Sequence, residues 1–268
     1  MTALLFAILV PLVGAVLIVL TGRNPNVRET VSTLTAILLF ASIASLAPAV
    51  FDGARPHLQL AEPLPGLALQ LTVEPLGMLF ALLASLLWIV TTIYSIGYMR
   101  ARQEKHQTRF YTCFALSLWA AVGMAFSGNL LSLFIFYEIL TLVTYPLVTH
   151  AGTAAARHGG RVYLGVLLGT SIGFLLFAII WTWQLAGTLD FADGGILKGT
   201  ATPALLGILL MLYVFGIGKA AVMPFHRWLP AAMVAPTPVS ALLHAVAVVK
   251  GGVFFILKVT IYVFGIDT

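Results

Sequence analysis

Charged side chains are scarce in this sequence: 9% of its 268 residues are Asp, Glu, Lys or Arg, against about a quarter in an ordinary soluble domain. With 60% hydrophobic residues, the chain has too few charges to coat a water-facing surface, so a large all-helical soluble core is excluded. Cysteine is nearly absent. The single Cys113 cannot build a disulfide framework or a cysteine-ligated metal centre. It cannot ligate an iron–sulfur cluster either, and the polar loops are too short for a nucleotide-binding domain. No haem, flavin, nicotinamide or other cofactor is expected, and no metal site: His226 and His244, the two histidines of the region rich in proline, lack an acidic companion at helical spacing. No basic residue precedes the first apolar run and no small-residue cleavage site follows it, so it reads as a retained helix rather than a secretion signal.

What the sequence does have is long apolar runs. Runs of the ~20 residues that cross a hydrocarbon core occur at Ala3 to Leu20, Val31 to Ala49, Gly77 to Gly97, Phe110 to Phe126, Leu130 to Val148, Tyr163 to Ala186, Pro203 to Gly218 and Val239 to Phe264. The expected fold is therefore all-α, a polytopic transmembrane bundle of about eight spans. The net charge of +5 suggests nucleic acid until the charges are placed. The first, third, fifth and seventh loops hold Arg23 and Arg28, then Arg100, Arg102, Lys105 and Arg109, then Arg157 and Arg161, then Arg227. The second and sixth hold Arg55 and Lys198 against Asp52, Glu62, Glu74, Asp190 and Asp193. This alternation is what the positive-inside rule produces for eight spans with both termini external, and it leaves a nucleic-acid role without a cause. Lipid is the expected surroundings.

The first two spans read as free of embedded charge, and Ala54 to Gly66, with Pro56, Pro63 and Pro65, as an irregular external connection. Ser127, Gly128 and Asn129 alone join the fourth and fifth spans into an antiparallel hairpin. Gly165, Gly169 and Gly173 form a small-residue stripe suited to helix packing. From Gly216 to Gly252 the pattern changes. Pro224, Pro230, Pro236 and Pro238 cannot lie in one continuous helix, so the seventh span is broken: a helix ends near Lys219 to Met223, a short amphipathic piece follows, and the eighth span starts near Pro238.

Ionisable groups at membrane depth are costly, and they pair or line a hydrated path. Glu138 sits mid-span with Thr141 and Tyr145 on its face; Lys219 lies at the break and Lys250 in the next span, while Lys258 is close enough to the span's end to snorkel. Burial penalises an ammonium and a nearby carboxylate favours it, so motion of Glu138 relative to Lys219 can load and release a proton. His244 and Lys250 would carry that proton onward, histidine titrating near neutrality. A static ion pair bracing two helices is the structural alternative. His226, beside Pro224, reads as a local cap more readily than as a transport residue.

The run FGIGKAAVMPFHRWLPAAMVAPTPVSALLHAVAVVKGGV, Phe215 to Val253, resembles the antiporter-like subunits shared by respiratory complex I (NADH:quinone oxidoreductase), membrane-bound hydrogenases and Mrp-type Na+/H+ antiporters. LSLFIFYEILTLVTYPLV at Leu131 to Val148 and VEPLGMLFALLASLLWIVTTIYSIGYM at Val73 to Met99 extend the match. APTPVSALLH followed by Val248 to Lys250 is nearest the D-type Mrp subunit. The resemblance implies two inverted five-helix repeats, each with a broken helix, of which this chain carries the first (helices 4 to 8) and matches the N-terminal portion. It implies a division into helices 1 to 3 over 1–99 and a half-channel repeat over 100–268. By resemblance Glu138, Lys219, His244 and Lys250 are the proton-transfer residues. The implied function is a proton-translocating subunit in monovalent cation/proton antiport, with other membrane subunits as partners and H+ and Na+ as cargo. The alternative is a proton-pumping or structural subunit of a complex I-like or hydrogenase-like redox complex; any oxidoreductase activity would belong to that assembly, since no catalytic chemistry is expected in this chain alone. Family members often carry an acidic residue after WLP, where this chain has Ala231.

Overall fold

A computed structural model describes residues 2–64, 66–241 and 246–266. The chain is a helical bundle: α1 (Thr2–Leu20), α2 (Pro25–Phe51), α3 (Pro75–Ala101), α4 (Gln107–Ala125), α5 (Leu130–Val148), α6 (Ala154–Thr170), α7 (Leu176–Ala186), α8 (Pro203–Gly216), the short α9 (Trp228–Ala232) and α10 (Thr237–Ser240), and α11 (Val248–Lys258). A π-helical turn, Ser171–Leu175, runs α6 into α7, and another, Val259–Phe264, extends α11. Local chemistry sets several helix starts. The Asn129, Thr153 and Thr202 side chains accept hydrogen bonds from the backbone N–H groups of Ser132, Ala156 and Leu205, satisfying donors that the first helical turn leaves free.

Among the described residues, five helical stretches are long and apolar enough to cross a membrane: α1, α2, α3, α5 and the α6–α7 rod, Ala154–Ala186. Their outer faces carry Phe6, Val16, Leu79, Leu83, Val90 and Ile93, all exposed, as a lipid-facing surface requires. The other three expected spans are not single full-length apolar helices. α4 opens with Gln107, Thr108 and Arg109, α8 has 14 residues, and α11 has 11 before its π-helical extension. The chain is a multi-pass membrane protein with an all-α membrane part.

Four expectations need correction. The segment after α2 is not irregular: His57–Leu64 (β1) and Leu67–Thr72 (β2) pair antiparallel, His57 opposite Thr72 and Gln59 opposite Gln70. Pro63 falls in the irregular stretch between the Ala61 and Leu64 pairs, where a missing N–H does no damage, and Gly66 supplies the turn at φ +79°. The hairpin lies over the α4–α5 connection, with Thr72 N–H donating to the Phe126 carbonyl at 2.6 Å and Gly128 N–H to the Gln70 carbonyl at 3.0 Å.

Charge does enter the second helix, because α2 starts six residues before its apolar run. Arg28 and Glu29 are buried. Arg28 donates to Gln107 Oε1 at 2.6 Å and to Thr108 Oγ1 at 3.3 Å, while Glu29 pairs with Arg100 from α3. Third, the stripe Gly165, Gly169 and Gly173 makes no close packing here: a Cβ added at any of the three would meet no atom of the described residues within 4 Å. The glycines that do admit close approach are others, such as Gly77 against the Ala125 carbonyl and Gly216 against the Leu175 backbone. Fourth, α8 ends at Gly216, before the expected limit. Lys219 therefore lies beyond it, in a 3₁₀ turn, Gly218–Ala220, and a second such turn, Phe225–Arg227, leads into α9.

Candidate functional site

The broken segment after α8 wraps around one fully buried cation. Lys219 is 0% exposed. Its backbone N–H donates to the Tyr137 hydroxyl at 3.1 Å. Its ammonium donates to the Tyr137 carbonyl at 2.7 Å and to Thr141 Oγ1 at 2.5 Å, and lies 3.1 Å from the centroid of the Tyr137 ring. A buried ammonium thus rests on a carbonyl, a hydroxyl and an aromatic face, all neutral.

The surroundings fix the break. Trp228 Nε1 donates to the Gly218 carbonyl at 2.8 Å, its ring meets the edge of Tyr163, and the Tyr163 hydroxyl shares a hydrogen bond with Thr144. From the other side α11 brings Gly252 so close that a Cβ there would overlap the backbone of Lys219 and Ala220. Phe255, one turn along, meets the Tyr137 ring edge-on.

Glu138 follows Tyr137 on α5 but makes no ion pair with Lys219; the ion pairs of the described residues are Arg28–Glu29, Arg100–Glu29, Arg102–Glu104 and Lys258–Glu74. Its Oε1 is buried without a hydrogen-bond partner. Thr141, expected on the Glu138 face, instead accepts from Lys219. Lys250 is exposed and lines an apolar groove between α3 and α11 with Leu79, Phe80, Leu83, Val253 and Leu257. His244 lies outside the described residues. His226 is exposed in its 3₁₀ turn. The structure thus gathers Lys219, Tyr137 and Thr141, with Glu138 adjacent, and turns Lys250 away from them.

Lys258 does not snorkel. It is 0% exposed, ion-paired with Glu74 at 2.9 Å, donates to the Ser127 carbonyl at 2.8 Å and lies 4.4 Å from the Phe191 ring centroid. The reason is that Glu74, just before α3, and the Ser127 carbonyl of the α4–α5 connection take the ammonium inside the bundle. Beside the pair is a cavity of about 220 Å³ lined by Arg55, Thr72, Glu74, Phe191, Asp193 and Tyr262. Sequence reasoning missed this pair because Glu74 precedes α3 and counted as a loop charge. The Arg28–Glu29–Arg100 cluster was missed for a similar reason, at the start of a helix read from its apolar run alone.

Buried charge therefore occurs in three places, Arg28–Glu29, Lys219 and Glu74–Lys258, an arrangement consistent with an ion-translocation path. Residues 127–267 match the family described as NADH:quinone oxidoreductase/Mrp antiporter, TM. A curated relative from Rhizobium meliloti, named as the A/B component of a probable K(+)/H(+) antiporter, is 31% identical over 94% of this chain and 25% of its own length. Among solved structures, a chain of the Mrp complex from a Dietzia species superposes with a TM-score of 0.80 at 25% identity, over 95% of this chain and 27% of that one. A chain of the membrane-bound sulfane sulfur reductase, an archaeal respiratory membrane complex, gives a TM-score of 0.80 at 22% identity, over 96% of this chain and 52% of that one; this second likeness shows the fold alone. The chain spans a quarter of the length of the Rhizobium relative.

Proposed function

The chain belongs to the NADH:quinone oxidoreductase/Mrp antiporter transmembrane family, and on that premise we propose that it is a proton-translocating subunit of a multi-subunit membrane complex, working in monovalent cation/proton antiport. Lys219 is the group that takes and releases the proton. Glu138 sets its proton affinity by approaching and withdrawing, and His244 and Lys250 relay the proton onward. Because Lys250 faces out of the bundle, the relay leaves this chain through the α3–α11 groove and continues in whatever element covers it.

One observation carries this reading: a fully buried ammonium is held by neutral groups while the neighbouring carboxylate keeps a buried oxygen unpartnered. A static brace would place the two in contact. A switch needs a state in which they are apart, and a unit charge moved within a few ångströms changes the ammonium's energy by several kcal/mol even at an effective dielectric near ~20.

The same reading includes eight crossings with both termini external, helices 1 to 3 over 1–99 and one five-helix repeat over 100–268. The counter-cation is Na+ by the sequence resemblance and K+ by the name of the Rhizobium relative. APTPVSALLH with Val248 to Lys250 favours a D-type component, the Rhizobium name an A/B type; complementation of strains lacking one or the other separates them. The direct test is proton flux in vesicles holding the assembled complex, with Na+ or K+ as counter-ion. Glu138→Gln, Lys219→Ala and their double variant, each shown to assemble, should all lose most of the flux, the double being little worse than the worse single. Wild-type flux in all three assembled variants would remove Lys219 and Glu138 from the path.

A further inference from the structure

Where the α3–α4 connection meets the start of the α5–α6 connection, at the basic end of the bundle, a cavity of about 480 Å³ is lined by Glu104, Lys105, His106, Arg109, Thr149 and His150. It belongs to none of the groups assigned to the proton path above. His150 is 5% exposed, and both of its ring nitrogens are buried without a hydrogen-bond partner. An imidazole has two ring nitrogens and always carries at least one N–H donor; the Lys105 backbone can engage one of them, so at least one stays unpaired at the wall of the cavity. The Phe110 ring beside it, 5.8 Å between centroids, offers no lone pair. Arg109 is anchored at the rim by donating from Nη2 to the His150 carbonyl at 3.2 Å, which leaves the rest of its guanidinium fork for another acceptor.

The balance of charge selects the class of ligand. Lys105 and Arg109 face a single carboxylate, Glu104, and that carboxylate lies 4.0 Å from Arg102. One partly neutralised carboxylate among donors is a poor cation site and a good anion site. Depth selects the source. α4 begins at Gln107 and α5 ends at Val148, so the cavity lies where these helices leave the hydrocarbon, at the level of lipid headgroups, and basic pockets between helices at that level take anionic headgroups. We propose that this cavity binds a phosphate group, presented by an anionic phospholipid of the leaflet at the basic end, with Arg109, Lys105 and His150 as its donors.

The test uses the full chain purified with the subunits that accompany it and stripped of lipid. Retention of phosphatidylglycerol and of phosphatidylcholine is measured by native mass spectrometry, with inorganic phosphate as competitor. Phosphatidylglycerol should be retained roughly tenfold more tightly than phosphatidylcholine. Arg109→Gln and His150→Gln should each remove most of that preference, while Arg157→Gln, an exposed basic residue of the same face outside the cavity, should keep it. Lys105 is exposed, so Lys105→Gln leaves the fold alone and should still weaken phosphatidylglycerol about fivefold. Competition by inorganic phosphate that these variants abolish identifies phosphate as the recognised group. Phosphate binding without any lipid preference would overturn the lipid source. Equal retention of the two lipids with no effect of phosphate, or cavity variants indistinguishable from Arg157→Gln, would overturn the site.

Discussion

In Glu74→Gln the Lys258 ammonium loses the carboxylate oxygen 2.9 Å away and keeps the Ser127 carbonyl at 2.8 Å. Two unit charges at 2.9 Å attract by about 6 kcal/mol at an effective dielectric near 20. That gross attraction is opposed by desolvation of several kcal/mol per ion, and the side chains are only 0% and 11% exposed. The pair as a whole therefore contributes little net stability, whereas removing one partner strands a buried charge and costs roughly 3–5 kcal/mol. Replacing both, in Glu74→Gln with Lys258→Met, should cost far less than either single change, because no uncompensated charge remains. Glu74 precedes α3 but makes no side-chain cap hydrogen bond, so loss of a cap does not confuse the result; its interaction with the helix dipole is worth at most ~1 kcal/mol. The assay is the unfolding free energy in mixed micelles for the wild type, both singles and the double. A Glu74→Gln cost below about 1 kcal/mol, or a double variant as unstable as the worse single, would refute the argument that burial makes this pair interdependent.

Gly252→Ala should force α11 off the Lys219–Ala220 backbone, destabilising the chain by ~1–3 kcal/mol and lowering proton flux although no ionisable group has changed; wild-type flux and stability together would show that the close approach is dispensable. Burial, and secondarily Arg109, hold the His150 pKa below its ordinary value, with His106 acting in the same direction and Glu104 and the Lys105 backbone opposing. The unfolded chain then binds the extra proton first, so this contribution to stability is complete above the ordinary histidine value of about 6.5 and is lost as pH falls from there toward the lowered value. A pH series of melting temperatures should show this slope in the wild type and not in His150→Gln. Cysteine labelling at Ala54 and Arg157, in a chain with Cys113 replaced, should report opposite faces of the membrane, and modification of both from one side would break the eight-crossing topology.

Much of the bundle is legible from composition because the bilayer imposes length and apolarity directly. Asn129, Thr153 and Thr202 mark helix starts by their own side-chain chemistry. The β-hairpin was hidden because Pro56, Pro63 and Pro65 are strong breaker signals, and they outweigh the weak alternation of HLQLAEPL and LALQLT. Yet Pro56 precedes β1 and Pro63 falls in its irregular stretch, positions that a strand tolerates. The glycine stripe of α6 is a different case. Its spacing is correct for close packing, but spacing alone does not name a partner, and the described residues supply none.

The candidate site was legible in its charges and illegible in its contacts, and the reason is helix phase. Four prolines announce that the backbone around Lys219 is broken, which suffices to expect a functional lysine. That Tyr137 supplies a hydroxyl, a carbonyl and a ring face to it has no sequence signal, since one aromatic in LSLFIFYEIL looks like any other core residue. Glu74 and Lys258 are separated by nearly the whole antiporter-like segment, and no local period connects them. On α11, consecutive residues point about 100° apart. Gly251 and Gly252 face the interior, so Lys250 is turned out to the α3–α11 groove, while Lys258, eight residues on, returns to the inner face and finds Glu74. Apolar residues surround this helix on both its inner and lipid-facing sides, so hydropathy could not fix that phase. It is set by the glycine that must meet the broken backbone.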